Sequence, residues 1–432
     1  MPQPFAARVA LLRPFLAMEI LERALAMERA GARVIHLEVG EPDFPPPAAA
    51  VAACAAALAA GETHYTDSRG LAELREAIAA DHARRFGVSV DPERVIVTSG
   101  TSPALLLVFS LLVGPGDEVI LAAPHDPCYP NAIRVCGGVP VAVPTRAEDG
   151  WCIDVDAVRR ARTPRTRAIV VSSPANPTGA IQSRATLAAL AELGLPLVSD
   201  EIYDGLVYDG ARVTSALEVS PEAYVLDGFS KRYAMTGFRL GYAIVPEPAL
   251  RPLQVMQQNL FISANHFVQR AGLAALREGG PTVRAMCAAY ARRRELLVDG
   301  LRALGFGVPT PPQGAFYVFA DARAFGRDSL ALALELLERA QVGTTPGIDF
   351  GAEGEGFLRF CYAASDDALR EALARLAAVL PTLGSSRRQP AAQGGEAAAQ
   401  RGEAERRHVE PAGEAAAQRG EAERRHVEPR ER

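Results

Sequence analysis

Six short apolar runs, each closed by a polar turn, constrain the fold of this chain more than any other feature. They are "RVIVTS" (94–99), "DEVILAAP" (117–124), "RAIVVSSP" (167–174), "LPLVSDE" (195–201), "AYVLDG" (223–228) and "GYAIVP" (241–246). Amphipathic or alanine-rich helical stretches separate them, among them 103–113 and 183–193. Continuous apolar strands joined through helices indicate an α/β fold, with a mostly parallel sheet covered by helices on both faces. Near residue 281 the pattern turns to a long helix ("TVRAMCAAYARRRELLVDGLRALG"), a short hairpin ("AFYVFAD"), a helix and a last strand ("EGFLRFCYA"). That reads as a smaller α+β domain. The expected organisation is a large domain over 51–280 and a small one over 281–385, which the segment 1–50 joins.

The remaining 386–432 read as a disordered tail. "GEAAAQRGEAERRHVEP" occurs at 395–411 and again at 413–429. Without aromatics, and with only Val409 and Val427 as large aliphatics, this repeat cannot bury a core.

Bulk properties exclude several classes of function. A net charge of −5 argues against a nucleic-acid surface resting on general basicity. The six cysteines form no CxxC pair and the seven histidines no HExxH or HxxxH, so reduced thiols are expected and no metal site. Arg8, Arg13 and Glu19 interrupt the N-terminal segment before a signal-peptide core could form. The longest apolar runs fall short of the ~20 residues that a membrane span needs. A cytoplasmic protein without nucleic-acid or membrane partners is the expectation.

Four of the strand runs end in chemistry: "TSGTS", "SSPANPTG", "SDEIYDG" and "DGFSKRY". Ligands of open α/β sheets bind beyond the carboxyl ends of the strands. Lys231, in the last of these ends, is the only lysine among the 46 lysine and arginine residues. A guanidinium stays protonated, whereas an ammonium can lose its proton and attack a carbonyl. A chance survivor of an arginine-biased composition would most often sit on an exposed helix, and Lys231 instead follows an apolar strand. Imine chemistry is therefore favoured, and with it pyridoxal 5'-phosphate (PLP), which needs a phosphate cradle and an acid for its pyridine nitrogen. The amides of Gly100, Thr101 and Ser102 lie where a strand turns into a helix and suit a phosphate. Arg239 can add a charge-assisted bond to the same group. Asp200 closes its strand where a carboxylate can hold the pyridine nitrogen protonated, although Asp in that place is also a common helix cap.

"FSKRYAMTGFRLGY", taken with "SSPANPTG", "SDEIYDGLVYDG", "LEVGEPDF" and "THYTDSRGLAELREAI", resembles a class I/II aminotransferase of PLP fold type I over about residues 8–383. The resemblance implies transfer of an amino group between an L-amino acid and a 2-oxo acid, 2-oxoglutarate being the expected acceptor, by a ping-pong mechanism. It implies that Lys231 holds the cofactor and shuttles the proton, and that Asp200 pairs with the pyridinium. Tyr203 and Asn176 would hydrogen-bond the cofactor's phenolic oxygen, and Tyr129 would stack on its ring. Arg359 in "LRFCYA" would grip the substrate α-carboxylate, helped by the backbone of Gly40. Tyr65 would reach the phosphate of a neighbouring subunit, making a homodimer with shared sites.

The sequence also departs from the family. Many relatives carry a serine phosphate ligand three residues before the lysine; that position is Gly228 here, with Ser230 as the candidate substitute. Some relatives stack a tryptophan where "APHDP" has Asp126. Around "QNLFISANHF" no arginine matches the one that aspartate-specific relatives use for a side-chain carboxylate. His125, His266 and Cys128 are expected to be packing residues. The alternatives are a PLP-dependent C–S lyase, which shares these motifs, and a non-catalytic regulator with an aminotransferase-like domain.

Overall fold

A computed structural model of the chain describes residues 5–383; the repeat tail lies outside the described residues. Its main sheet has seven strands: β1 (Val95–Thr98), β2 (Glu118–Ala123), β3 (Val139–Pro144), β4 (Thr166–Ser172), β5 (Leu197–Asp200), β6 (Tyr224–Gly228) and β7 (Gly241–Ile244). Their order is β1-β7-β6-β5-β4-β2-β3, with β7 antiparallel to both neighbours and every other pair parallel. The carboxyl ends of β1 to β6 and the start of β7 therefore share one rim.

Both faces of this sheet are buried, which is why its strands read as unbroken apolar runs. Successive side chains of a strand point to opposite faces. Val95, Val97, Ile169 and Val171 join one core with Leu74 and Ile78 of helix Ala72–Phe86 and Leu187 and Leu190 of helix Arg184–Ala191. Ile96, Ala168 and Val170 join the other with Leu105 and Val108 of helix Thr101–Leu112 and Leu253 of helix Glu247–Leu260. Six of the seven strands follow the expected runs. The seventh, β3, is an edge strand in which only Val143 is buried. Edge strands tolerate proline and exposure, so Pro140 and Pro144 hid it.

A three-stranded antiparallel sheet follows, in the order β9 (Thr345–Pro346), β10 (Phe357–Cys361) and β8 (Tyr317–Asp321). The segment "AFYVFAD" is thus one strand and not a hairpin. Its partner arrives some forty residues later, after helix Ser329–Ala340. From the N-terminal segment, Ile35–His36 pairs in parallel with Val342–Gly343. That pairing leads directly into the Glu38–Gly40 stretch, which faces the rim of the large sheet.

Candidate active site

At the rim the strand ends meet residues of β10 and the N-terminal segment around a cavity of about 280 Å³. Lys231 enters it from the turn after β6. Phe229 and Met235, both buried, anchor this turn, and the Phe229 carbonyl accepts from the amides of Tyr233 and Met235. Lys231 Nζ donates to the Gly40 carbonyl at 2.5 Å. Burial lowers the pKa of this amine, against an opposing pull chiefly from the Asp126 charge.

The phosphate-cradle candidates lie to one side. Gly100 caps helix Thr101–Leu112 with φ +99° and no side-chain cap, a conformation that only glycine adopts readily. A Cβ there would come 2.7 Å from Arg239 Nη2, and a Cβ on Gly241 would press as closely on the Gly100–Thr101 peptide. Arg239 holds the left-handed conformation (φ +54°), costly for a non-glycine residue, and donates to the Thr236 carbonyl. Thr101, Ser102, Ser230 and Arg239 all line the cavity. The departure at Gly228 has a physical reason. That residue pairs with Gly241, and a Cβ on it would lie 3.0 Å from Gly241 Cα and from the Leu240 carbonyl oxygen. A serine there would press on the neighbouring strand, and Ser230 brings a hydroxyl of the same turn to the cavity.

On the floor, Asp200 is 9% exposed and accepts from the Tyr129 hydroxyl at 2.7 Å and the Ile202 amide at 3.2 Å. Burial raises its pKa to about 7. A cation opposite the carboxylate would relieve that cost. The Tyr129 hydroxyl is thereby committed to Asp200, while its ring forms part of the wall. The Tyr203 hydroxyl shares a 2.7 Å hydrogen bond with that of Tyr317.

The far end is built around Arg359, 2% exposed. Its guanidinium donates to Asn176 Oδ1 at 2.9 Å, to Thr345 Oγ1 at 3.0 Å and to the Glu38 carbonyl, and lies over the rings of Tyr317 and Phe350. Every one of these partners is neutral. Nε has no partner at all, and among the described residues no carboxylate lies within ion-pair distance. A buried cation without a counter-ion is costly. It is a ready site for an anion. Gly40 also belongs to this end, and a Cβ on it would run into the Tyr317 hydroxyl.

The family profile of aminotransferase class I and II matches residues 32–376. The chain belongs to this family. It is 41% identical to the aspartate/prephenate aminotransferase of Thermus thermophilus over 380 residues, 86% of this chain and 98% of that one. It is 38% identical to the valine–pyruvate aminotransferase of Mycobacterium tuberculosis over 385 residues, 87% of this chain and 99% of that one. The crystal structure of the Thermus thermophilus aspartate aminotransferase with maleate superposes with a TM-score of 0.83, at 41% identity over 87% of this chain and all of that one. The protein is an aminotransferase, acts on amino and 2-oxo acids, and uses the PLP of its family. The cavity fits that group on three counts: a lone buried amine, a glycine cradle with no room for a Cβ, and a buried carboxyl that lacks a cation.

Of the residues expected in the aminotransferase's site, Gly100 lies behind the lining against Arg239, and Tyr65 lies apart. It is 80% exposed and does not line the cavity. Cys128 does line it, and the Asp126 charge pushes its thiol up; His266 sits elsewhere, 3.2 Å from Glu62. His125 borders the adjoining cavities and burial lowers its pKa. Sequence reasoning missed Tyr317, Glu38 and Thr345, whose contacts with Arg359 form only through folding. Asp126 was noticed as a departure, and the only signal of its place was its position beside Tyr129.

Proposed function

We propose that the cavity is the active site and that its residues divide the work as follows. Gly100, Thr101, Ser102, Ser230 and Arg239 would hold the phosphate, with the backbone strain at Gly100 and Arg239 as support. Asp200, supported by Tyr129, would face the ring nitrogen, and Tyr203 and Asn176 the phenolic oxygen. When bound, PLP supplies an aldehyde that forms an imine with amines and a cationic ring that accepts electron density. Lys231 supplies the protein's amine and then moves the proton at the substrate Cα, a task for which burial favours its neutral form. Arg359 holds the α-carboxylate of donor and acceptor in turn, and so orients Cα toward Lys231.

The observation that carries this reading is the buried guanidinium of Arg359, which lines the same cavity as Lys231 and has no carboxylate beside it among the described residues. The expected acceptor is 2-oxoglutarate. The relatives named above differ in substrate at similar identity, so the donor is left to experiment. A homodimer is part of the reading, because the exposed Tyr65 needs a second subunit to approach a phosphate. So is a division into a large domain over 51–280 and a small one over 281–385 that the segment 1–50 joins, which the separate sheets and the pairing of Ile35–His36 with Val342–Gly343 support. A cytoplasmic location is in keeping with the described residues, where no helix is long and apolar enough to cross a membrane.

The test is to mix the PLP-loaded protein with single amino acids and follow its absorbance. At least one donor should convert the cofactor to the pyridoxamine form, and 2-oxoglutarate should restore it. Catalytic release of a 2-oxo acid without any acceptor would instead favour the lyase reading.

A further inference from the structure

Asp126 stands in the cavity wall and pairs with no guanidinium or ammonium among the described residues. Its Oδ1 accepts the Cys128 amide at 2.9 Å, which fixes the carboxylate at the start of helix Cys128–Val135. Its Oδ2 accepts Asn176 Nδ2 at 2.8 Å. On the other side of the same amide, Asn176 Oδ1 accepts Arg359 Nη1 at 2.9 Å.

An asparagine amide has two orientations related by a flip, and hydrogen-bond partners decide between them. A guanidinium only donates, so the atom facing Arg359 must be oxygen. A carboxylate only accepts, so the atom facing Asp126 must be the NH₂ group. With both neighbours charged, the flipped amide would lose two charge-assisted bonds and set like against like. Remove the carboxylate, and only Arg359 itself holds the amide in place.

We propose that Asp126 is a positioning residue for substrate: it fixes the Asn176 amide, and through it the guanidinium plane of Arg359 that receives the α-carboxylate. This rests on the reading of Arg359 given above. Asp126 is also the main charge that favours protonated Lys231. None of this needs contact between Asp126 and substrate.

The experiment is a double-mutant cycle on the PLP-loaded protein, and it measures dissociation constants spectroscopically. The probe is an α-methyl amino acid, which lacks the hydrogen that turnover removes; its control is the matching amine without a carboxylate. Asp126→Ala and Asn176→Ala should each weaken the probe about tenfold, and the double variant should be within about twofold of the worse single. Coupling of that size is normal for neighbours in one network. Asp126→Asn should lose about three- to tenfold, because its single amide oxygen accepts from either Asn176 or Cys128, and its NH₂ group then faces the other donor. The stated losses are read as the ratio of probe to control affinity, because Asn176 also faces the cofactor's phenolic oxygen and Asp126 also acts on Lys231, and both roles affect probe and control alike.

Multiplying losses in the double variant would overturn the proposal. So would equal weakening of probe and control, which is the signature of a damaged helix start. If Arg359→Ala leaves probe binding intact, the assignment of Arg359 has failed. If it abolishes binding while the cycle is additive, that assignment stands and the inference about Asp126 fails alone.

Discussion

Lys231 and Arg232 are adjacent in sequence and belong to two opposite regions. Arg232 turns away from the cavity to Asp81 at 2.8 Å, within a buried network behind the site. There Arg85 meets Asp81 at 2.7 Å, Asp204, and Asp227 at 3.4 Å, and the Tyr242 hydroxyl donates to Asp227 at 2.7 Å. Every charge in this set has an opposite charge beside it. In the cavity, Lys231 faces a carbonyl and Arg359 only neutral acceptors. The paired region completes itself and ties helix Ala72–Phe86 to the turns after β5 and β6. The unpaired region leaves its cations free to meet anions and carbonyls. A buried cation is thus read by its partners, and burial alone does not distinguish structure from function.

Exchange of Lys231 for arginine would break the comparison most severely. Lys231→Arg keeps the charge and approximate size but cannot form an imine or give up its proton readily. Turnover should fall more than about a thousandfold while the melting temperature holds, given the scale of base catalysis. Arg359→Ala comes next. Losing one partner of a desolvated ion pair costs ~2–5 kcal/mol, so kcat/KM for amino acids should fall roughly thirty- to several-thousand-fold. The yellow cofactor should remain, and cofactor-free protein should be no less stable than before. Arg85→Ala should do the reverse. It strands carboxylates, which typically costs ~3–5 kcal/mol, visible as a lower urea midpoint, while the folded enzyme keeps its activity within about tenfold. If Arg359→Ala unfolds the protein, or Arg85→Ala spares its stability, the division between the regions is wrong.

These contrasts also mark what was legible in the sequence. The cofactor half of the cavity is made by strand ends, where an apolar run must stop and a polar turn begins, so Gly100, Asp200 and Lys231 could be placed from the pattern alone. The substrate half depends on distance along the chain. Arg359 reaches Asn176 across 183 positions and Glu38 across 321. No local periodicity records such contacts, so Arg359 came from family resemblance, and Tyr317, Glu38 and Thr345 were not found. The edge strand β3 was missed because exposure and prolines erased its apolar run. Gly228 was visible only as an anomaly, and its cause is the close approach of β7.

The smallest expected effect lies at Glu201, a buried carboxyl near Asp227 that forms no ion pair among the described residues. Glu201 accepts from Ser199, Ser215 and the Ala216 amide through Oε1 alone, Oε2 has no partner, and burial raises its pKa to about 8. A carboxyl raised in the folded state contributes stability that is fully present below its unfolded pKa and is lost as pH rises through the folded value. The wild-type melting temperature should therefore fall between about pH 5 and 8 more steeply than that of Glu201→Gln, by on the order of a few degrees. Parallel curves for the two proteins would place the proton elsewhere.

The division rests finally on Lys231, the one lysine in a chain that otherwise uses arginine. Borohydride reduction of the PLP-loaded protein, followed by proteolysis and mass spectrometry, tests it directly. The account predicts that the cofactor mass is fixed to the peptide containing Lys231 and that the yellow absorbance is lost with it. Loaded protein whose Lys231 peptide remains unmodified after reduction would contradict the account.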